Sequence, residues 1–464
     1  MSTYEIRIQN FKSFYDSKWI QLRPLTILLG PNNAGKTSFF LPLLALKQTI
    51  DSPNEEIGFK TKGPYVDLGL YRDIVHRHVL SKPMKFSLKL LTERGRKRPK
   101  SLEPVGSYPP GEVTFEFSNS STGYPELRSF EVRDIYDRLF LKRTRLEKGK
   151  FGLRYKVKRP EEHTPLLNRF LKAIKEQDPY YFLFDDDFIV EVLKREVYTE
   201  GTRSADRKLN EVTIPAYVAK YSAAVRIVLM ATWSFLDRIL FLGPLRQAPQ
   251  RYYESNEEAT SYVGPRGEHT ANVLLHRFGN TAASKNLKKW LGMFDLASDF
   301  KAESQRRDSK MFTVQLKTGT ARFVNVADMG FGCSQLLPLI VQGLIAKKNT
   351  LIIAEQPEIH LNPKLQTTVG DLLVHFVKEG KQVLLETHSE HIILRLRTLV
   401  AEGRIKPDQV ALYFVEKKGS ASKMRAIQID AKGRMKGKWP KDFFADGLQQ
   451  AVKLANAQMK GKLD

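Results

Sequence analysis

Cysteine is almost missing from this sequence. A single residue, Cys333, stands alone among 464, which excludes an intrachain disulfide and a cysteine-based zinc site. A reducing compartment is the expected setting. Long unbroken hydrophobic runs are missing too. The most apolar long stretch, Ser222 to Gly243, is interrupted by Arg226, Asp237 and Arg238, so it reads as a buried helix and not as a membrane span. The opening Met1-Ser-Thr-Tyr-Glu-Ile-Arg-Ile has the pattern of neither a signal nor a transit peptide. The cytoplasm is the expected location, with no membrane partner. No internal repeat, low-complexity tract or coiled-coil arm is visible. Negative charge is scarce: Asp+Glu number 51 against 75 Lys+Arg, a formal net charge of +24. An excess of that size suggests a polyanionic partner, because clustered cations release counterions condensed on nucleic acid. The basic runs Arg94–Lys100, Lys142–Arg159 and Lys432–Lys441 are the candidate contacts.

What is present is an ordinary globular complement, with 42% hydrophobic residues and a length that suggests two or three structural units. Tyr4–Asn10 reads as a strand, and Leu25–Leu29 as a short buried one. Thr37–Ile50 reads as a helix with Leu41, Leu43, Leu44 and Leu46 on its apolar side. Between the last two lies Gly30-Pro-Asn32-Asn33-Ala34-Gly35-Lys36-Thr37-Ser38, which fits the phosphate-binding pattern G-x-x-x-x-G-K-[ST] in full. The glycines let backbone N–H groups wrap a phosphate, and the helix N-terminus adds a favourable dipole. Lys36 is expected at the β- and γ-phosphates of ATP, and the Thr37 hydroxyl on Mg²⁺.

Met84–Leu91, Glu112–Ser118 and Leu127–Arg133 read as antiparallel strands, and 163–242 mainly as helices. Asp185-Asp186-Asp187, within that stretch, reads as a solvated loop. The second half alternates between strands and helices. Met311–Leu316, Arg322–Val326, Leu351–Ala354, Gln382–Leu385, Val410–Val415 and Met424–Ile429 read as strands. Ser334–Ala346, Pro363–Lys378, His388–Val400 and the C-terminal end read as helices. That alternation indicates a mostly parallel sheet. The expected class is α/β: a P-loop ATPase head with an antiparallel β segment and a helical insertion. The expected parts are 1–80 (lobe with the phosphate loop), 81–240 (insertion), 241–405 (second lobe) and 406–464 (strand and helix extension).

Three further segments carry chemistry. Leu351–Ala354 ends in Glu355-Gln356-Pro357-Glu358, where a P-loop ATPase holds Mg²⁺ through a carboxylate. Glu355 is assigned that role. The next position usually carries the Glu that polarises the attacking water. Here it is Gln356, which can hold water but cannot take its proton. Turnover is expected to be slow, or Glu358 supplies the base, or the protein works mainly by binding ATP. Second, Asp328-Met-Gly330-Phe-Gly332-Cys-Ser334-Gln335 precedes a helix expected to start near Leu336, and reads as another anion cradle. One phosphate loop does not need two cradles, so Gly332, Ser334 and Gln335 are expected to meet ATP held by a second copy. Third, His388 follows an apolar strand and is placed to sense the γ-phosphate.

With these motifs the chain resembles the RecF, SMC and OLD-type ATPases of the ABC class. Ile6-Arg-Ile-Gln-Asn-Phe-Lys-Ser-Phe14 with the phosphate loop resembles their opening. Glu355-Gln-Pro-Glu-Ile-His-Leu-Asn-Pro363 resembles their acidic motif and D-loop, and Glu386-Thr-His388-Ser their switch histidine. Phe241-Leu-Gly-Pro-Leu-Arg246, Val263-Gly-Pro-Arg-Gly267 and Ala431-Lys-Gly433 with Trp439-Pro440 and Phe443-Phe444 are similar to a bacterial anti-phage-defence subfamily of the PARIS kind. The resemblance implies two ATPs sandwiched between two protomers, and a separate effector such as a Toprim-type nuclease. No Q-loop glutamine is evident; Tyr65–Asp73 lies near the expected position. A nuclease inside this chain is not expected. Glu416 could open a Toprim domain, but no Asp-x-Asp follows, since Asp430, Asp442 and Asp446 stand apart. The alternative is a RecF-like DNA-repair ATPase.

Overall fold

Strict alternation at the start of the chain produces a strand with Ile6 and Ile8 buried and Arg7 outward, bonded to Asp16 at 2.9 and 2.8 Å. This is the first strand of a computed structural model describing residues 3–52, 59–91, 110–134, 139–145, 151–155, 230–255, 262–279, 282–304, 309–319 and 322–436. The described residues fall into two compact units. One comprises Met1–Leu22, Thr37–Ile239 and Lys418–Lys423; the other comprises Arg23–Lys36, Leu240–Lys417 and Met424–Asp464. The chain passes repeatedly from one to the other, so these units and the four chain-order parts are different divisions.

The first unit is built on an antiparallel sheet. Its strands begin with β1 (Thr3–Phe11), β2 (Phe14–Asp16) and β3 (Ile20–Leu22). β4 (Leu25–Leu29) belongs to the other unit. Then come β5 (Met84–Leu91), β6 (Pro110–Asn119), β7 (Pro125–Asp134), β8 (Leu139–Arg145) and β9 (Phe151–Tyr155). The order is β2-β1-β5-β6-β7-β8-β9, with β3 also on β1. Phe11, Phe59, Phe86 and Phe117 stack and edge against one another in its core. Helix α1 (Lys36–Ile50) buries Phe39, Phe40 and Leu44 completely. A one-turn helix, α2 (Tyr71–Ile74), is capped by Asp73, which accepts from the Leu70 N–H at 2.8 Å. That is the role of the acid at the end of Tyr65–Asp73.

One expectation needs correction here. Ile239–Leu242 is a strand, β10, and not the end of a helical tract. Its four apolar residues fit either period, and pairing in a buried sheet decides. The described part of Lys142–Arg159 is strand. Lys142 pairs with Glu131 at 2.9 Å, Arg145 pairs with Glu126, and Arg143 is buried. Lys142 and Arg145 thus meet acids of the neighbouring strand β7. Arg94–Lys100, most of 163–242 and the C-terminal helix lie outside the described residues, as do 437–441 of the third basic run.

The second unit carries the parallel sheet. β10 is followed by β11 (Tyr253–Glu254), β12 (Asp299–Ser304), β13 (Met311–Thr318) and β14 (Arg322–Asn325), of which β11 to β14 form a small separate sheet. β15 (Leu351–Glu355), β16 (Gln382–Glu386), β17 (Val410–Lys418), β18 (Ala421–Ile429) and β19 (Met435–Lys436) complete the main one. Its order is β10-β15-β16-β4-β17-β18-β19, and β15, β16, β4 and β17 run parallel. Every residue of β4, β15 and β16 is buried, as a parallel sheet covered on both faces requires.

The helices of this unit are α3 (Thr270–Arg277), α4 (Ala282–Met293), α5 (Phe331–Ile345), α6 (Pro363–Lys378) and α7 (Glu390–Ala401). α6 and α7 are the crossovers from β15 to β16 and from β16 to β17. Each starts on a side-chain cap: Asn362 accepts from the Leu365 N–H, and Ser389 from the Ile392 N–H. Pro363 supplies the first position of α6, where its missing N–H costs nothing. Among the described residues no helix is long and apolar enough to cross a membrane.

Candidate nucleotide site

Parallel strands deliver their C-terminal ends to one edge of the sheet, and β4, β15 and β16 do so side by side. In register, Glu386 on β16 faces Glu355 on β15 and Leu28 on β4. The phosphate-loop strand therefore ends next to Glu386, with Glu355 one strand further on. From β4 the chain turns through Gly30 at φ +148° and Gly35 at φ +98°. A Cβ on Gly30 would stand 2.2 Å from the carbonyl oxygen of Val415, so only glycine lets the loop leave the sheet here. Asn32, Asn33 and Ala34 form the loop, with Asn33 left-handed at φ 59°. Thr37 and Ser38 follow Lys36 in the first turn of α1.

Lys36 is 3% exposed. Its ammonium donates to the carbonyls of Gly30 (3.1 Å) and Pro31 (2.9 Å), and lies 3.8 Å from the Glu386 carboxylate. Burial lowers its pKa, opposed by the charges of Glu386 and Glu358.

Glu355 closes β15 at 7% exposure. Burial, reinforced by the neighbouring charge of Glu386 and opposed by Arg246, pushes its carboxyl up to about 8. Gln356 turns the chain at φ 42° and donates its backbone N–H to the Glu386 carbonyl at 2.8 Å. Glu358 sits under the start of the next turn, with Oε1 accepting from the His388 N–H at 2.6 Å. Its Oε2 is buried and unpartnered, and burial raises its pKa. The Nε2 of His388 is likewise buried without a partner. Its pKa is lowered, first by burial and then by the charge of Lys36.

The glycine segment differs from expectation. α5 starts at Phe331, with Gly330 as its N-cap, five residues before Leu336. Gly332, Ser334 and Gln335 therefore lie within the first turns of the helix and not in a loop before it. Ser334 is buried and donates its hydroxyl to the Phe331 carbonyl at 2.7 Å. This bond, with Cys333 and Leu336 packed into the core, holds the early turn despite its two glycines. Gln335 is also buried, accepting from Arg246. Phe331, by contrast, is 72% exposed.

Lys36, Glu355, Glu358 and His388 are thus linked by bonds, strand register or charge. Two residues of the same cluster were not singled out as site residues. Glu386 repeats the pattern of Glu355, an acid closing a five-residue buried strand, and that repetition was a readable signal. Arg246 follows β10 in Gly-Pro-Leu-Arg, and nothing in the sequence couples it to residues about a hundred positions on. Among the described residues no cluster of three or more His, Cys, Asp or Glu side chains is arranged to hold a metal unaided. A divalent ion at Glu355 would lean mainly on phosphate oxygens, the usual situation for Mg²⁺.

A P-loop between parallel strands, with carboxylates closing β16 and β15 beyond it, defines a nucleotide-binding ATPase domain of the α/β class. The chain belongs to the family described as "AAA domain, putative AbiEii toxin, Type IV TA system", whose profile matches residues 25–394. Residues 405–454 match a second family, a protein of unknown function (DUF3696). No curated protein shows a significant match. Solved structures with a similar arrangement include three SMC heads. The head from Pyrococcus furiosus, with an extended coiled coil and bound to the C-terminal domain of ScpA, is 11% identical and covers 99% of this chain and 100% of its own, at a TM-score of 0.40. An SMC head bound to the C-winged helix domain of ScpA is 12% identical over 91% and 97%, at 0.38. The Thermotoga maritima SMC head domain is 11% identical over 92% and 100%, at 0.36.

Proposed function

We propose that this chain is a slowly hydrolysing ABC-type ATPase that associates with itself on ATP and so controls a separate effector. The observation that carries it is the pairing of an intact phosphate cradle with Gln356 at the water-polarising position. ATP·Mg²⁺ fits the residues present. Gly30 and Gly35 take the positive-φ turns that wrap the loop. The Lys36 ammonium is held by two carbonyls and a carboxylate, which phosphate oxygens can replace. Glu358 and His388 each turn an unpartnered buried atom into the polar cluster.

In this reading Asn32 to Lys36 wrap the β-phosphate, Lys36 spans β and γ, and Thr37 and Glu355 hold Mg²⁺. The ion supplies charge neutralisation at the phosphates. Gln356 orients a water. Glu358, whose carboxyl burial disposes to take up a proton, serves as base. His388, kept neutral by burial and Lys36, donates or accepts at the γ-phosphate. The N-terminus of α5 in one copy, with Gly332 and Ser334, closes over the nucleotide of another.

The family's printed description, with its toxin and type IV toxin–antitoxin terms, supports a defence setting. There the effector would be a separate nuclease, Toprim-type among the options, and this chain the cytoplasmic sensor or scaffold. The net charge of +24 favours a second reading, a RecF-like ATPase that clamps DNA. Gel filtration with ATP·Mg²⁺, with and without duplex DNA, separates them. Assembly on ATP alone supports the first, and assembly that requires DNA supports the second. An unchanged monomer under both conditions sinks both.

A further inference from the structure

Arg246 is a deeply buried cation of the second unit that the proposed chemistry does not use. It is 8% exposed and comes off the end of β10. Its two terminal nitrogens are divided between two elements. Nη1 donates to the Gln335 side-chain oxygen on α5 at 2.8 Å, and Nη2 to the backbone carbonyl of Glu355 at the end of β15 at 3.2 Å. Its Nε has no partner. The opposing charges it feels are those of Glu358 and Glu355. One planar group thus bonds both the strand end that carries the acidic motif and the first turns of the helix that carries Gly332 and Ser334.

A guanidinium suits this position because its donors are fixed in one plane. If β15's end shifts when a nucleotide and its ion engage Glu355, the fork cannot keep both bonds without moving Gln335. The spare Nε gives it a bond to gain in another setting. A lysine at the same place would offer a point charge on a flexible stem, without the rigid fork that fixes how its two acceptors lie relative to each other.

We infer that Arg246 is a positioning residue that couples occupation of the nucleotide site to the N-terminal turns of α5, through its shared bonds to Glu355 and Gln335. This rests on the proposed use of α5 as the face presented to a second copy, and it adds the part that makes presentation depend on bound nucleotide. Arg246 itself does not touch the nucleotide in this scheme.

The test uses the full chain. Amide hydrogen exchange is followed across residues 329–338, with and without ATP·Mg²⁺, in wild type, Arg246→Lys and Gln335→Met. Nucleotide affinity is measured by calorimetry, and assembly by light scattering. Arg246→Lys keeps the buried charge, and Gln335→Met keeps Arg246, so the pair guards against one variant failing to fold. The expected result is a nucleotide-induced change in exchange in wild type of at least threefold, lost in both variants, with the nucleotide affinity of Arg246→Lys held within about threefold. The double variant should be no worse than either single one. Three results would overturn the inference: a response retained in both variants, affinity lost along with the response, or no response in wild type. A wild type that responds in exchange but stays monomeric overturns the assembly reading alone.

Discussion

The ammonium of Lys36 and the carboxylate of Glu386 lie 3.8 Å apart, each 3% exposed. Burying two charges is costly, and the pair is offset by the two loop carbonyls that also accept from Lys36. In this state Lys36 points back into its own loop, and an arriving phosphate must compete for it. Glu386→Gln is therefore expected to tighten ATP binding by roughly three- to tenfold while lowering the melting temperature of the nucleotide-free protein, because a buried cation loses its counter-charge. Lys36→Ala should abolish binding. Calorimetric titration reads both. Retained affinity in Lys36→Ala would remove the basis of the nucleotide assignment.

Gln356 and Glu358 give opposite expectations. Gln356→Glu restores a carboxylate where the water is held, and should raise turnover by up to about 10²-fold if a proton acceptor is limiting. Glu358→Gln should lower turnover by a comparable factor with ATP affinity little changed. Steady-state phosphate release checks both. Equal rates in wild type and Glu358→Gln would exclude Glu358 as the base.

Gly30 has the least room of the loop residues. Gly30→Ala puts a methyl 2.2 Å from the Val415 carbonyl at φ +148°, and should cost at least ~3 kcal/mol from strain and clash together. Denaturant unfolding measures this. Nucleotide binding is expected to vanish with it.

Asp16 sets a pH dependence in the antiparallel unit. Burial by itself would raise its pKa, but hydrogen bonds from Arg7 and Lys18 outweigh it and bring the carboxyl down to about 2. A carboxylate held below its unfolded value contributes stability above that value, which is lost as pH falls from near 4 toward 2. The melting temperature of Asp16→Asn should lie below wild type at pH 7, with the gap closing by about pH 2. A gap that stays constant with pH would assign the effect to packing.

The sequence made the strand–loop–helix of the phosphate site legible because its signals are local. Glycines, a lysine and a short apolar run all fall within fifteen residues, and the structure returns Leu25–Leu29 and a helix from Lys36. β15, α6 and β16 were equally plain, since Asn362-Pro363 and the acids closing both strands mark their ends. The start of α5 was placed three to five residues late, at Ser334 or near Leu336, because two glycines argue against a helix that core packing nonetheless imposes. β8 and β9 were hidden in a basic run whose partners, Glu131 and Glu126, lie on another strand. Arg246 escaped for the same reason: its bonds span 89 and 109 positions, a distance at which periodicity carries no information.

The central place of β4 has a consequence for how the protein is made. Its neighbours in the sheet are β16, residues 382–386, and β17, residues 410–418. A ribosome that has just released residues 25–29 must synthesise nearly the whole remaining chain before either partner exists. At roughly 5–20 residues per second that wait is on the order of half a minute. Through that interval a strand with four aliphatic residues of five, and its glycine loop, stay unpaired on the nascent chain, beyond the reach of ATP as a stabilising ligand. The antiparallel sheet, whose strands up to β9 are all made by residue 155, can form in the meantime.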